Sequence, residues 1–410
     1  MPVKLNLLPG PAPRPKAPRL LFWFVLLPGV FFAIGITSSV LWDGMEIHHQ
    51  PISFWLHELA ILSLCWVFIV GCRWLLYTGQ HLWADGWDQR RQLVILQETQ
   101  RGRRSLQILS VALYTALVDE ETPERQVALL TKNEKALKAQ PSWLSENAVR
   151  HSRLPTLADE SSDELVRRTL SSIVATFAKA LELLPDNTPL SLLFEANTIL
   201  PEHELRNMWQ QVWSEAGIRQ PVSFVEGAGL SVVDDWLDNH ICKRSLLMVV
   251  ALQICPVQPE RTAESAVGLI LGNRLTQKTL TPQAFLHRPE CASHLTLVRS
   301  VQQALDWVPI IPESLQHVWL SQLSRENSEA FTALSSMIHF GMTHEQGLYD
   351  LDILLGTSGC VAPWLVIAAA ALHAQCTTTS QFILSGSSVS DEECWCAVVF
   401  PNETLQEVTQ

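Results

Sequence analysis

Residues 245–272 read SLLMVVALQICPVQPERTAESAVGLILG, two apolar runs parted by a loop that carries Pro256 and Pro259. Neither run alternates polar with apolar residues. Continuous short runs rich in Val, Ile and Leu are strands covered on both faces. Upstream, SSDELVRRTLSSIVATFAKALELL (161–184) predicts an amphipathic helix. A serine caps it, Asp163 and Glu164 suit its positive end, and Leu165, Thr169, Ile173, Phe177, Leu181 and Leu184 form its apolar face. SLLFEAN then predicts a strand, EHELRNMWQQVWSEA a helix closed by Gly217, PVSFVEG a strand and SVVDDWLDN a short helix. Downstream, helix 295–306, strand HVWLSQL, helix NSEAFTALSSMIHF, strand LDILLG, the apolar helix APWLVIAAAALHAQ and strands FILSGS and CWCAVVF follow. Strands separated by helices of this length imply crossovers, so the expected class is α/β: a mixed-sheet layered domain with helices on both faces. A further strand, SLQILSVALYTAL, opens it, and residues 119–160 read as polar helical pieces and loops.

Ahead of this domain the sequence changes character. Leu20 to Trp42 contains no charged residue, and Phe54 to Tyr77 carries charge only near its ends. Each run is long enough to cross a hydrocarbon core of about 30 Å as a helix. Aromatic residues mark the expected interfaces: Trp42 and Trp55 on one side, Trp74 and Tyr77 on the other, with Trp83 and Trp87 on the headgroups beyond. Lys4, Arg14, Lys16 and Arg19 precede the first run, and Arg90, Arg91, Arg101, Arg103 and Arg104 follow the second. The loop DGMEIHHQPIS between them has neither Lys nor Arg. The positive-inside rule therefore predicts a two-span transmembrane hairpin with both termini cytoplasmic. The expected parts are a basic arm (1–19), the hairpin (20–77), a juxtamembrane amphipathic collar (78–104) and the cytoplasmic α/β domain (105–410).

Composition sets limits on function. Of 410 residues, 17% are charged, against roughly a quarter in ordinary soluble domains. The net charge of −12 excludes nucleic acid as a natural partner. Residues 105–410 alone carry 19 basic and 35 acidic side chains, so an anionic lipid surface repels the body while the arginine-rich collar is attracted to it. The nine cysteines are odd in number and scattered, which fits a reducing compartment without disulfides.

The order and spacing of the elements resemble the thiolase-like fold of the β-ketoacyl synthases. LLGTSGCVAPWLVIAAAAL (354–372) resembles the small-residue turn and apolar helix that follow a late strand in that family. SLLMVVALQI and AESAVGLILG resemble its paired central strands, and HVWLSQLSREN the strand that leads to its first catalytic histidine. The resemblance implies a nucleophilic cysteine at the start of a helix, two histidines and a lysine. Glu226-Gly227-Ala228-Gly229 stands where the cysteine belongs, Gln322 near the first histidine, Ile353 near the second, and Leu348 near the lysine. A thiolate attacks the thioester and the histidines stabilise the enolate oxygen, so their loss implies a pseudo-enzyme. A double-span anchor, an arginine collar and an acidic α/β body also resemble inner-membrane accessory proteins of bacterial type VI secretion clusters.

Other constellations are weaker. His287, Cys291 and His294 have spacing for three zinc ligands, but HRPECASH offers no fourth and reads as a surface loop. Cys394 and Cys396 share one face of a strand and read as core. Cys360 opens the alanine-rich helix and reads as a buried packing cysteine; the alternative is a thiol whose pKa the positive helix end lowers. Gly227-x-Gly229 lacks the remainder of a dinucleotide fingerprint. Asp234 and Asp235 read as solvated, and Met208, Trp209, Val212 and Trp213 as core. No metal or other cofactor is expected. The expected function is a membrane-anchored, non-catalytic interaction protein, an accessory of a secretion system, with the lipid bilayer and protein partners as its contacts and a homodimer left open. The alternative is a divergent membrane-associated acyltransferase or lipid-modifying enzyme with Cys360 as nucleophile.

Overall fold

The computed structural model describes residues 8–41, 52–117, 123–144, 146–276, 280–342, 347–387 and 390–402. The chain divides into two units, Lys4–Thr99 and Gln100–Gln410.

The first unit is helical. Helix α1 (Leu20–Leu41) runs through Pro28 without a break, and α2 (Ile52–Gly102) is a single helix of 51 residues. The expected division between span and collar at residue 78 is therefore not a break in the helix. The nearby Gly79 costs only about 1 kcal/mol relative to alanine, too little to interrupt a long helix. Two described helices are long and apolar enough to cross a membrane: Leu59–Gly102, whose apolar window is 0% buried, and Gly359–Thr377, whose window is 78% buried. Trp74, Trp83 and Trp87 are exposed, Trp74 lies beside Tyr77, and Trp83 stacks on Trp87. Trp42 and the side chain of Trp55 lie outside the described residues.

The second unit is built on one mixed sheet. In chain order its strands are β1 (Ser105–Tyr114), β4 (Leu190–Asn197), β5 (Val222–Phe224), β6 (Leu246–Gln253) and β7 (Ser265–Gly272), then β8 (Ala284–His287), β9 (Glu290–Ser293), β10 (His317–Ser321), β11 (Leu348–Asp350), β12 (Gln381–Gly386) and β13 (Glu393–Pro401). A separate small hairpin joins β2 (Lys138–Pro141) to β3 (Ala148–His151). The order across the sheet is β11-β10-β12-β13-β8-β1-β7-β6-β4-β5, with β9 added beside β13. Leaving β9 aside, each half carries its own strands in the order third, second, fourth, fifth, first. The two halves meet where β1 and β8 pair antiparallel. The chain is a structural repeat whose sequence shows no repeat.

Helices lie on both faces: α3 (Pro123–Thr131), α4 (Ser162–Leu181), α5 (Glu202–Glu215), α6 (Leu230–Asn239), α7 (Leu297–Trp307), α8 (Arg325–Met337), the single turn α9 (Leu351–Leu354) and α10 (Ala362–Thr377). Side chains of β6 alternate between two cores. Leu247, Val249 and Ala251 join α3, α6 and α10, while Leu246, Met248, Val250 and Leu252 join α4 and α5. That double burial explains the unbroken apolar run. Ser161 and Glu164 close a capping box at the start of α4, whose face Leu165, Thr169, Ile173, Phe177 and Leu181 is buried. Gly268 in β7 lets this helix approach, since a Cβ there would lie 2.5 Å from Ile173 Cγ2. Helix α10 is buried from Ala362 to Ala374 and touches strands of both halves. A helix apolar on every side belongs in a core, and Ala368 to Ala371 keep it thin enough to fit.

Four local expectations are corrected. LDILLG is the turn α9 rather than a strand, because the Asp350 carboxylate accepts from the Asp352 and Ile353 N–H groups and caps a helical turn. The strand is the preceding Leu348–Asp350, parallel to β10. HRPECASH is not a loop: its residues end β8 and form β9, which pairs with β13. Asp234 is not solvated but 3% exposed, ion-paired to the fully buried Arg288 at 2.6 Å. PVSFVEG contributes only three residues of strand, and the remainder turns into α6.

Candidate functional site

The site grows from the start of α6. Gly227 and Gly229 have φ of 133° and 57°, values that glycine adopts without penalty. They turn the chain from β5 into α6 and bring the Gly229 N–H to the carboxylate of Glu195 at 2.9 Å. Glu195 ends β4 and is 8% exposed; its other oxygen accepts from the indole N–H of Trp364 near the start of α10. Burial raises the Glu195 pKa, and the two hydrogen bonds oppose that rise. One buried carboxylate thus ties together the openings of α6 and α10, which occupy equivalent places in the two halves.

Just before α10, Gly359 (φ 54°) leaves room for Gln253, whose side-chain N–H₂ donates to the Ala263 and Thr357 carbonyls. Asn197 donates in turn to Gln253 Oε1. Beside this network sits Cys360, its thiol 3.7 Å from the Leu252 carbonyl. Burial, together with the charge of Glu195, pushes this thiol up to about 12. Cys360 is thus mostly buried, as the packing reading expected, and desolvation of the thiolate works against the alternative of a thiol activated by the helix end. Among the described residues no histidine is hydrogen-bonded to it.

A cavity of about 160 Å³ opens between Ala228–Ser231 at the start of α6, Pro363 of α10, Gly386 and Ser387 at the end of β12, and Glu393 and Trp395 of β13. None of the three positions expected from sequence lines it. Glu226 is exposed on the turn before α6, and Ile353 is 56% exposed on α9. Gln322 lies directly behind the wall: a Cβ on Gly386 would stand 1.8 Å from its carbonyl oxygen. Gln322 has φ 54°, a strained value for a residue with a side chain. Asp352 holds it there, accepting the Gln322 N–H at 2.7 Å and the Ser321 hydroxyl at 2.9 Å. Burial, reinforced by the Asp350 charge, pushes the Asp352 carboxyl up to about 6.

Glu195 and Asp352 are positions at the candidate site that sequence reading passed over. Each leaves a trace, a carboxylate set in an apolar run: SLLFEAN and LYDLDILLG. A second polar cluster, also unforeseen, joins His317, Tyr349 and His373. The histidine rings lie 4.4 Å apart, and the Tyr349 hydroxyl is 3.3 Å from His317 Nδ1. His287 is half-buried and desolvation lowers its pKa to about 4, whereas His294 faces Glu326. Among the described residues no three His, Cys, Asp or Glu side chains gather in a way that could hold a metal ion.

No protein-family model and no curated relative matches this sequence. Solved structures do match. The PfaC keto synthase–chain length factor aligns with 12% identity and TM-score 0.52 over 73% of this chain and 43% of that one, so this chain spans less than half of it. The fold is ketosynthase-like. The ishigamide ketosynthase/chain length factor aligns at 11% identity and TM-score 0.51, over 72% of this chain and 99% of the other. The ketosynthase from module 6 of the bacillaene synthase of Bacillus subtilis 168 aligns at 10% and 0.50, over 73% and 70%. At these identities the likeness is one of fold, which agrees with the two half-sheets of identical strand order.

Proposed function

We propose that residues 105–410 form a divergent acyl-handling domain of the ketosynthase type that holds its ligand between α6 and α10 without capturing it on a cysteine. The cavity where the two helix starts converge carries this reading. Glycine occupies the start of α6, and Cys360, just ahead of α10, has its pKa pushed up to about 12. Such a thiol is protonated near neutrality and is a poor nucleophile. The solved structures reported above include ketosynthases and chain length factors, which favours acyl chemistry over a role defined by secretion alone. The type VI accessory reading draws only on the anchor, the arginine collar and the acidic body. A second version of the acyl reading is an acyltransferase proper: the Ser231 and Ser387 side chains belong to residues that line the same cavity, beside Glu393.

The test is titration of the full-length, detergent-solubilised protein with a short-chain acyl-pantetheine thioester. Saturable binding is expected, weakened at least tenfold by Ser231→Trp, with no mass adduct after denaturation. Absence of saturable binding would sink the acyl reading. An acyl group left on Ser231 would favour the acyltransferase version, and one on Cys360 would restore the cysteine chemistry rejected above.

The anchor belongs to the same proposal. The run of exposed apolar side chains on α1 and α2, with the lysine and arginine pattern, supports a two-span hairpin with both ends cytoplasmic. A periplasm-active reporter should work when fused at Gly44 and fail after Gln410; activity at the C-terminus would reverse the assignment.

A further inference from the structure

Within the helical unit, the arm ahead of α1 is not loose. Its sequence Pro9-Gly-Pro-Ala-Pro-Arg-Pro15 places proline at every second position. Proline holds φ near −65° and keeps the residue before it out of the helical region, so this stretch is extended before it meets anything. It lies along α2, where Ala84, Asp85, Trp87, Asp88 and Arg91 fall on one face. Three polar groups of the extended backbone are met there. The Ala12 N–H donates to Asp88 Oδ1 at 2.9 Å, the Trp87 indole N–H to the Gly10 carbonyl at 3.3 Å, and Arg91 Nε to the Pro9 carbonyl at 2.7 Å. Arg14 forks across two carboxylates, Asp88 at 2.9 Å and Asp85, and His81 faces Asp85 from the previous turn. Among the described residues of this unit, Ala12 and Ala84 are the only buried hydrophobic ones.

We infer that the α2 face from His81 to Arg91 is a recognition site for a proline-rich, arginine-bearing extended peptide, and that the occupant is the chain's own arm. The chemistry is that of polyproline recognition: an indole and a guanidinium reading carbonyls of a backbone with few N–H groups, and a carboxylate pair selecting an arginine. A stiff strand loses little entropy on docking, which makes such a strap bind and release readily. The inference does not depend on the acyl reading.

The experiment uses full-length protein in detergent. In Arg14→Glu the strap is repelled by Asp85 and Asp88, so tryptic cleavage after Lys16 should quicken at least tenfold. A labelled peptide of residues 8–17, LPGPAPRPKA, should bind that variant saturably and leave the wild type, whose site is filled, untouched. Adding Asp88→Ala should abolish peptide binding, and adding Trp87→Phe should weaken it about fivefold through the lost indole donor. If Arg14→Glu does not fold, Pro11→Gly with Pro13→Gly loosens the strap without reversing charge and should admit the same peptide. A peptide that ignores both strap variants, or binds them and the wild type equally, overturns the inference. Sensitivity to Asp88→Ala with none to Trp87→Phe also overturns it, since that pattern is charge attraction without a shaped site.

Discussion

Two of the described helices are long and apolar enough to span a membrane, and they meet opposite surroundings. Along α2 the apolar window is 0% buried, whereas along α10 it is 78% buried within the fold. Mean hydropathy differs little, 2.1 against 1.5. What separates them is side-chain size. Helix α2 carries Phe68, Leu75, Leu76 and Trp83 outward, and α10 carries Ala368 to Ala371 into a sheet that closes around it. Large outward side chains suit a fluid that adapts to them, and small ones suit a solid that does not.

The comparison breaks first under charge. Ala369→Arg would place an unpaired cation in the core and is expected to leave no folded domain, seen as loss of cooperative unfolding. Phe68→Arg should leave the melting of the α/β domain unchanged while lowering membrane insertion by about 2.5–3.5 kcal/mol, measured in an insertion assay. Equal damage from both would mean that α2 too is a core helix.

Next comes Trp364→Ala. It removes a buried indole from α10 and leaves Glu195 without one of its donors, for an expected loss of about 3–5 kcal/mol in urea unfolding. Ala369→Leu sharpens the size argument: overpacking should cost about 1–3 kcal/mol. Gly79→Leu on α2, where a Cβ meets nothing within 4 Å, should cost nothing by overpacking and should instead stabilise the helix by up to about 1 kcal/mol. A tolerated Ala369→Leu would show that α10 is not confined as described.

The last contrast is a pH dependence where His373 of α10 meets His317 of β10. Burial, and for His317 the neighbouring His373, lowers the pKa of both rings, His317 from 6.5 to about 4. Their neutral forms favour the fold, so that stability is present above pH 6.5 and is lost as pH falls toward 4. Asp352 has the opposite sign. Its carboxyl rises from 3.8 to about 6, so its contribution is present below pH 3.8 and lost as pH rises through 6. Comparing wild type with His317→Gln cancels the Asp352 term. The variant should lose less of its urea midpoint between pH 7 and pH 5, and an identical loss would remove the histidine pair from the account.

These contrasts also explain what could be read from the chain. The strands around 245–272, the capped helix at 161–184 and the apolar helix at 362–377 were legible because local pattern and tertiary surroundings agree there. LDILLG was misread because four apolar residues fit a strand and a helical turn equally, and only the Asp350 cap decides. Asp234 was misread because its partner, Arg288, lies 54 residues away and crosses from the other half of the sheet. The candidate site was barely legible. Glu226, Gln322 and Ile353 came from alignment by pattern: Glu226 falls two residues short of the cavity wall, while Gln322 and Ile353 lie on segments that do not line it. Glu195 and Asp352 owe their properties to burial, which is a property of the fold and not of their neighbours in sequence.

The order of the strands has a consequence for self-association. A sheet of this width has two open edges, and each is a row of unpaired backbone groups that another chain could join. Here the edges are β5 and β11, each only three residues long among those described. The longest strands, β1 and β13, lie in the interior. During folding, when long strands are exposed for a time, the repeat therefore offers its stickiest edges to itself, and the finished sheet presents only stubs to other molecules.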